Sequence, residues 1–317
     1  MHIRYDDDYI GPQLQGGLVT IGNFDGVHLG HRRLLGRLVQ EVRREGSKAI
    51  LITFDPHPKM LIHPERRPFY LLTTLEEKLA LLKDCGLDAV IVIPFSLEYA
   101  RTTARDFICN FLWEKLKIRG IIIGHDYTFG QGKEGNEELL MSYGEKLGFQ
   151  VEVINAFSAG ETIISSTRIR QAILKGDMGT ARSFLGRPYN IAGKVVEGHH
   201  RGAGMGFPTA NIKPEKELIP PDGVYAVYAE LGEAQIGGVM NIGANPTFGD
   251  DTRSLEVYLL DFHGDIYGER VDVFFIERLR GEIKFPDVEQ LREQIRRDVK
   301  TGREILGRYR QTNTVVP

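Results

Sequence analysis

The stretch Gly22-Asn23-Phe24-Asp25-Gly26-Val27-His28-Leu29-Gly30-His31 decides how the N-terminal half of this chain is interpreted. It follows the apolar, β-branched run 18–21 and precedes an apolar pattern of helical period that begins at Leu34. We therefore predict a strand-to-helix turn. Its glycines allow a ligand to approach the backbone, and the helix begins with N–H groups at the positive end of its dipole. These features together predict an anion-binding site.

Two histidines in this turn carry the chemistry. His28 and His31 lie three residues apart across the helix entry, so both side chains can donate hydrogen bonds toward the same anion. His-x-Gly-His after a first strand resembles the signature of the nucleotidyltransferase superfamily shared with class I aminoacyl-tRNA synthetases, whose histidines bind triphosphate. One alternative is a glycine-rich turn with two surface histidines. Another is a metal site that includes Asp25, for which no Cys/His cluster completes a shell.

Composition bounds the class of protein. The length of 317 residues favours two domains, and 42% hydrophobic with 26% charged residues is typical of a soluble globular protein. Residues 1–185 hold 23 Lys+Arg and 23 Asp+Glu, and the remainder holds 17 and 20, which reproduces the net charge of −3. Neither half has the basic excess of a nucleic-acid binder.

The sequence also indicates the compartment. It shows no signal-peptide pattern and no apolar run near eighteen residues, and its only cysteines, Cys85 and Cys109, stand in apolar patterns typical of buried free thiols. We expect a cytoplasmic protein without a nucleic-acid or membrane partner. A weak homo-oligomer is left open.

Strand-like and helix-like segments alternate through the first half. Predicted strands at 49–54, 89–93, 120–123 and 151–154 alternate with predicted helices at 75–85, 104–116 and 137–147. This order indicates a Rossmann-like α/β domain over residues 1–185, with a parallel sheet covered by helices on both faces. In such a sheet the ligand crevice lies at the carboxyl ends of the strands.

Polar residues follow several of these strands. Asp55 and His57 are each followed by a proline, Pro56 and Pro58, and predict either a stiff turn or a ligand contact. Asp126, in the segment 124–130, is interpreted as a contact to a nucleotide hydroxyl or Mg²⁺, or as a turn cap.

The segment 163–170 combines hydroxyl and cationic residues. Ser165, Ser166 and Thr167 precede a helical run and would cap it by default. Arg168 and Arg170 place cations in the same first turn, where the dipole already favours anions. A triphosphate would account for this arrangement, which resembles the second phosphate-binding motif of the same superfamily.

From Gly186 onward the pattern changes to repeated short strands. These are predicted at 191–197, 224–230, 235–242, 254–260 and 271–277, followed by one helix from about Asp287. We predict an antiparallel β barrel with a terminal helix over residues 186–317.

The second domain carries its own phosphate signature at 198–211. Gly202, Gly204, Gly206 and Pro208 are candidate phosphate contacts, and in an extended chain Thr209 and Asn211 point to one side, where they could face Mg²⁺ carrying ATP. The alternative is a glycine loop with a Pro-Thr turn. Glu256 lies on the polar face of its strand and is either a solvated glutamate or a general base.

The order and spacing of several segments closely resemble the family of bacterial bifunctional riboflavin kinase/FMN adenylyltransferases, also called FAD synthetases. The resemblance is carried by residues 22–31, 53–58, 124–130, 164–170, 206–211, 241–248 and 279–282. Thr128, His199 and Ala203 depart from the pattern expected of the family.

This resemblance implies two reactions. The barrel would use ATP to phosphorylate riboflavin, with Thr209 and Asn211 at Mg²⁺ and Glu256 as base, and the first domain would join FMN to the AMP of a second ATP, giving FAD and pyrophosphate. His28, His31 and Arg168 would stabilise the developing charge. Predicted ATP contacts of the first domain are Gly22, Asn23, Phe24, Asp25, Gly30, Asp126, Ser165, Ser166 and Thr167. Predicted flavin-side contacts are Asp55 and His57 in that domain, and Arg280 and Glu282 in the barrel.

Two rival functions stay open on the sequence. One is a flavin-binding regulatory protein without turnover, which would need neither His28 nor Glu256. The other is an enzyme active in one half only.

Overall fold

The apolar run before the quoted stretch forms the buried strand β2 (Leu18–Ile21), inside a six-stranded parallel sheet. The other strands of this sheet are β1 (His2–Arg4), β3 (Ala49–Asp55), β4 (Ala89–Pro94), β5 (Gly120–Gly124) and β6 (Gln150–Ile154), in the order β1-β4-β3-β2-β5-β6.

The structure is a computed structural model that describes residues 1–5, 11–66, 68–160, 162–198, 204–245 and 250–313. It divides into two units, residues 1–166 and 167–317.

Helices cover both faces of the sheet. They are α1 (Leu29–Glu45), α2 (Pro58–Ile62), α3 (Leu75–Lys83), α4 (Ala104–Asp106), which continues as a π-helix (Phe107–Lys115), and α5 (Glu137–Leu147). Leu35 of α1 and Leu79 of α3 pack on one face, and Phe111 and Leu140 pack on the other. Short 3₁₀ turns occur at Pro12–Leu14, Pro64–Arg66, Tyr99–Arg101 and Gln131–Lys133, and β7 (Ser158–Ala159) pairs antiparallel with β8 (Thr162–Ile163). The predicted α/β domain class is confirmed.

The second unit is a closed antiparallel barrel with the order β10-β13-β12-β11-β14-β9. Its elements are α6 (Ser166–Leu174), which begins at the division between the units, α7 (Met178–Leu185), β9 (Tyr189–Val196), β10 (Ala210–Pro214), β11 (Gly223–Leu231), β12 (Ala234–Asn245), β13 (Asp250–Leu259), β14 (Arg270–Arg280) and α8 (Val288–Asn313). The predicted barrel and terminal helix are confirmed.

Helix α8 lies on the outer surface of the barrel. Its start is fixed because the Asp287 carboxylate accepts the Gln290 backbone N–H at 2.8 Å, at the residue where the sequence predicted the helix to begin. Further along, Ile305 and Leu306 pack against Tyr228 and Ile276. The helix is therefore anchored both by its cap and by apolar contact.

The sequence patterns did not predict β1, α2, the β7–β8 pair, α7 or β10 as regular structure. Each is short, and β10 alternates polar with apolar residues directly after the glycine-rich segment, so its strand character depends on pairing with β9 and β13. The predicted domain boundary near Gly186 stays a prediction, and α6 and α7 lie with the second unit. Both cysteines are free and half-buried. Among the described helices, none is long and apolar enough to cross a bilayer.

Candidate functional sites

The turn after β2 leads directly into α1, with His28 as the N-cap residue. His28 Nδ1 accepts the backbone N–H of His31 at 3.2 Å, so a neutral His28 ring carries its proton on Nε2. A Cβ at position 30 would lie 3.1 Å from His28 Cε1, and Gly30 therefore leaves the space that this ring occupies. The first turn of α1 contains no acidic residue that would oppose an anion.

The two histidine rings stack on each other. Their centroids are 3.5 Å apart with 14° between the planes, and the Phe24 ring lies 4.9 Å from that of His31. Burial, the neighbouring His28 and the Lys78 ammonium hold the pKa of His31 well below its usual range. His31 is therefore a neutral imidazole near pH 7, which donates hydrogen bonds without bringing a full charge. Its Nδ1 atom is buried and has no hydrogen-bond partner among the residues that the structure describes.

Backbone strain marks the same turn. Phe24 and Val27 have φ values of 47° and 40°, a region that side chains other than glycine seldom adopt, and a β-branched valine least of all. Both side chains are buried, at 3% and 0% exposure, so core packing holds the strained conformation. Such strain concentrates at ligand sites.

Asp25 ties this turn to the segment before α3. Its carboxylate accepts the backbone N–H groups of Leu72 at 3.0 and 3.1 Å and of Thr73 at 3.1 Å, and it is 2% exposed. The Gly26 N–H in turn donates to the Thr73 hydroxyl at 3.1 Å. Asp25 thus positions the turn; its predicted ATP contact stays a prediction.

Lys78 is a residue that sequence reasoning missed. It lies on α3, 5% exposed, and its ammonium donates to the Thr53 hydroxyl at 3.4 Å, while that hydroxyl donates to the Asn23 carbonyl at 3.2 Å. Burial lowers the pKa of Lys78, and Asp25 and Asp55 act against that shift. A signal was present in the sequence, because Lys78 shares a helix face with the apolar positions 75 and 82.

The loop after β3 is a packed turn that contains a cis Asp55–Pro56 bond. His57 caps α2, its Nδ1 accepting the Lys59 N–H at 3.2 Å, and its ring lies 4.6 Å from that of Phe69. His57 is 6% exposed. These contacts are those of a stiff turn, the first of the two alternatives. The flavin contact predicted for Asp55 and His57 stays a prediction.

Two further loops carry predicted contacts. Asp126 is exposed after β5, next to a turn in which Tyr127 N–H donates to the Gly124 carbonyl at 3.0 Å. Ser166, the first residue of α6, donates its hydroxyl to the Asp25 carbonyl at 2.9 Å, which joins the second phosphate motif to the first. Ser165 is half-buried before α6, and Thr167 and Arg168 are exposed on its first turn. The structure therefore brings Ser166 to the histidine turn.

In the barrel, strand pairing assembles a second polar cluster. Asn211 of β10 and Asn241 of β12 both pair directly with Glu256 of β13, so their side chains lie on the same face. Glu256 accepts the Ser254 hydroxyl at 2.8 Å and the Thr209 hydroxyl at 3.3 Å. Sequence reasoning predicted three members of this cluster, Thr209, Asn211 and Glu256, and missed Ser254 and Asn241.

Glycines shape the approach to this cluster. A Cβ at position 198 would overlap the Asn211 carboxamide, and Gly206 has a φ of 86°. Gly204 and Pro208 lie in the described part of the same loop. Gly202, with the departures His199 and Ala203, lies outside the described residues.

Arg280 is bound to α8. Its guanidinium reaches the Asp298 carboxylate at 2.8 to 3.1 Å, with only 18% and 7% of the two side chains exposed. Gly243 lies on β12, and a Cβ there would lie 2.8 Å from Glu282 Oε1. Glu282 therefore lies beside β12. The predicted flavin contacts of Arg280 and Glu282 stay predictions.

Comparison with known proteins gives the family. Residues 11–168 match the family model described as FAD synthetase, and residues 185–306 match the one described as riboflavin kinase. The bifunctional riboflavin kinase/FMN adenylyltransferase of Escherichia coli K12 is 40% identical over 294 residues, 92% of this chain and 94% of the relative. Its counterpart in Listeria monocytogenes is 37% identical over 294 residues, 92% and 93% of the two chains. A crystal structure named as a macrolide-efflux protein from Streptococcus pneumoniae is 33% identical, with a TM-score of 0.84 over 96% of this chain and 98% of that one.

The structure has a parallel α/β unit with a histidine turn and a barrel with a carboxylate–hydroxyl cluster, and the family matches define its class as a transferase. The chain belongs to the family of bifunctional riboflavin kinase/FMN adenylyltransferases. Its FAD synthetase match is N-terminal and its riboflavin kinase match is C-terminal, as the sequence predicted.

Proposed function

We propose that the barrel converts riboflavin and ATP to FMN and ADP, and that the α/β unit converts FMN and a second ATP to FAD and pyrophosphate. The observation that carries this proposal is that each family match contains its own built site. These sites are the stacked His28 and His31 at the start of α1, and Glu256 between Thr209 and Ser254.

In the barrel, Glu256 is the proposed general base. The Ser254 and Thr209 hydroxyls bind one carboxylate oxygen each, which holds the group as an acceptor that can take the proton of the riboflavin 5′-hydroxyl as that oxygen attacks the γ-phosphorus of ATP. ADP then leaves.

The Thr209 hydroxyl and the Asn211 amide oxygen fit the oxygen-donor preference of Mg²⁺. When bound there, Mg²⁺ would neutralise charge on the ATP phosphates. These two side chains, together with the substrate's own oxygens, are the proposed ligands of the ion.

In the α/β unit, an ionised phosphate oxygen of FMN attacks the α-phosphorus of ATP, and pyrophosphate leaves. No general base is required because the FMN phosphate is already charged near neutral pH. The task of the site is to position both phosphates and to stabilise charge, which the α1 N-terminus, His28, the neutral His31 and Arg168, within the FAD synthetase match, would do.

The proposal is tested by giving the purified chain riboflavin with Mg²⁺ and ATP and separating the flavins by chromatography. FMN is expected first and FAD later, and supplied FMN is expected to give FAD with one pyrophosphate each. A chain that makes no FMN from riboflavin contradicts the kinase assignment. A chain that makes FMN and never FAD contradicts the adenylyltransferase assignment.

Gly198→Ala is expected to lower riboflavin phosphorylation about 100-fold, because the new Cβ displaces the Asn211 carboxamide from the cluster. Conversion of supplied FMN to FAD is expected to be unchanged. The matched control is Gly307→Ala on α8, where a Cβ meets no atom within 4 Å. Equal kinase rates for both variants in a steady-state assay would show that Asn211 need not stay in place.

A further inference from the structure

Lys78 is a buried cation in an unusual bonding situation. An ammonium has three N–H donors, yet within the described part of the chain its one hydrogen bond is the 3.4 Å contact to Thr53. Among the described residues no carboxylate forms an ion pair with it within 4.0 Å. Arg280, by contrast, forms a close ion pair with Asp298. Burying a charge without a close partner is costly, so Lys78 calls for a reason beyond packing.

The surroundings of Lys78 supply that reason. The ammonium is linked through the Thr53 hydroxyl to the Asn23 carbonyl, within the turn that precedes α1. Its charge acts on His31 of the histidine pair and on two carboxylates, Asp25 and Asp55, which follow β2 and β3. All of these groups lie around the carboxyl ends of the two central strands.

The two carboxylates present a problem for an anion site. Asp25 is needed as an anchor, since it accepts backbone N–H groups from Leu72 and Thr73. Asp55 follows β3 at the same edge of the sheet. Two carboxylates thus lie at the edge of the sheet where the proposed function brings a triphosphate and a flavin phosphate. The Lys78 ammonium, buried and bonded to Thr53 of β3, lies near enough to both carboxylates to offset their charge.

We propose that Lys78 is a positioning residue of the adenylyl-transfer site, whose buried charge offsets Asp25 and Asp55 so that ATP and the FMN phosphate can bind together at the histidine turn. This inference rests on the proposed function of the N-terminal unit. Lys78 acts through the field at the site and through Asn23, and it does not need to touch the reacting atoms.

The test uses two neutral variants of the full chain. Lys78→Met removes the charge and the donor, and Lys78→Gln removes the charge but keeps a donor for Thr53. Both are expected to lower kcat/KM for FMN adenylylation about 100-fold, with a raised KM for ATP. Lys83→Met, an exposed lysine on the same helix, is the matched control and is expected to match the unmodified chain. Riboflavin phosphorylation by the barrel reports the amount of protein in each sample, and a thermal melt reports whether the N-terminal unit is folded.

A double-mutant cycle with Asp55→Asn separates charge balance from packing. If Lys78 offsets Asp55, Lys78→Gln costs at least about threefold less in the Asp55→Asn background than in the unmodified chain. An equal cost in both backgrounds, or a Lys78→Gln variant as active as Lys83→Met, overturns the proposal. If Lys78→Met fails to fold, Lys78→Gln carries the test alone. An unmodified chain that makes no FAD from FMN contradicts the proposed function itself. An active chain whose FAD formation is unchanged by the Lys78 substitutions contradicts only the role of Lys78.

Discussion

His28→Asn is expected to abolish most FAD formation while leaving FMN formation intact. Asparagine is a good N-cap, so it keeps an acceptor for the His31 N–H, but it removes the imidazole that stacks on His31. Loss of one preorganised donor at a site of developing charge lowers kcat by about 100-fold or more. The measurement is conversion of supplied FMN and ATP to FAD, with riboflavin phosphorylation followed in the same sample.

Two further variants make this result interpretable. His28→Ala removes both the cap and the ring, and is expected to cost about 1 kcal/mol of stability in addition to activity. His2→Asn makes the same chemical change at an exposed position on β1 and is expected to change neither activity. If His28→Asn makes FAD at the rate of His2→Asn, the imidazole has no part in adenylyl transfer.

Glu256→Gln is expected to stop the other of the two reactions, the phosphorylation of riboflavin. The amide keeps the size of the side chain and can still accept from the Ser254 hydroxyl at the 2.8 Å position, but it cannot take up a proton. Riboflavin phosphorylation is therefore expected to fall by about 100-fold or more. FAD formation from supplied FMN is expected to continue unchanged.

The matched control for this change is Glu233→Gln, in the exposed turn between β11 and β12 of the same barrel. It removes the same charge away from the cluster and is expected to leave both reactions as they are. A Glu256→Gln variant with the kinase rate of Glu233→Gln would refute the role of base. A loss of both reactions would indicate unfolding rather than lost chemistry, and a thermal melt distinguishes the two.

Much of this architecture was predictable because its signals are local. The parallel sheet follows from apolar runs that alternate with helical periodicity, and the barrel follows from repeated short strands. The strand β10 escaped prediction because its polar residues resemble a loop until β9 and β13 pair with them. Thr209 and Asn211 of the barrel cluster were predicted because they follow a glycine-rich motif. Ser254 was missed because it belongs to no such motif.

By itself the sequence determined the two folds, their order, and the residue types available for the two proposed phosphate sites, since periodicity and turn chemistry act over a few residues. Only the tertiary structure decided which side chains meet. Thr209 reaches Glu256 across 47 residues through strand pairing, Asp25 turns its carboxylate onto backbone amides 47 and 48 residues away, and Lys78 lies buried next to Thr53. These contacts depend on the register and packing of distant elements, which no local pattern encodes.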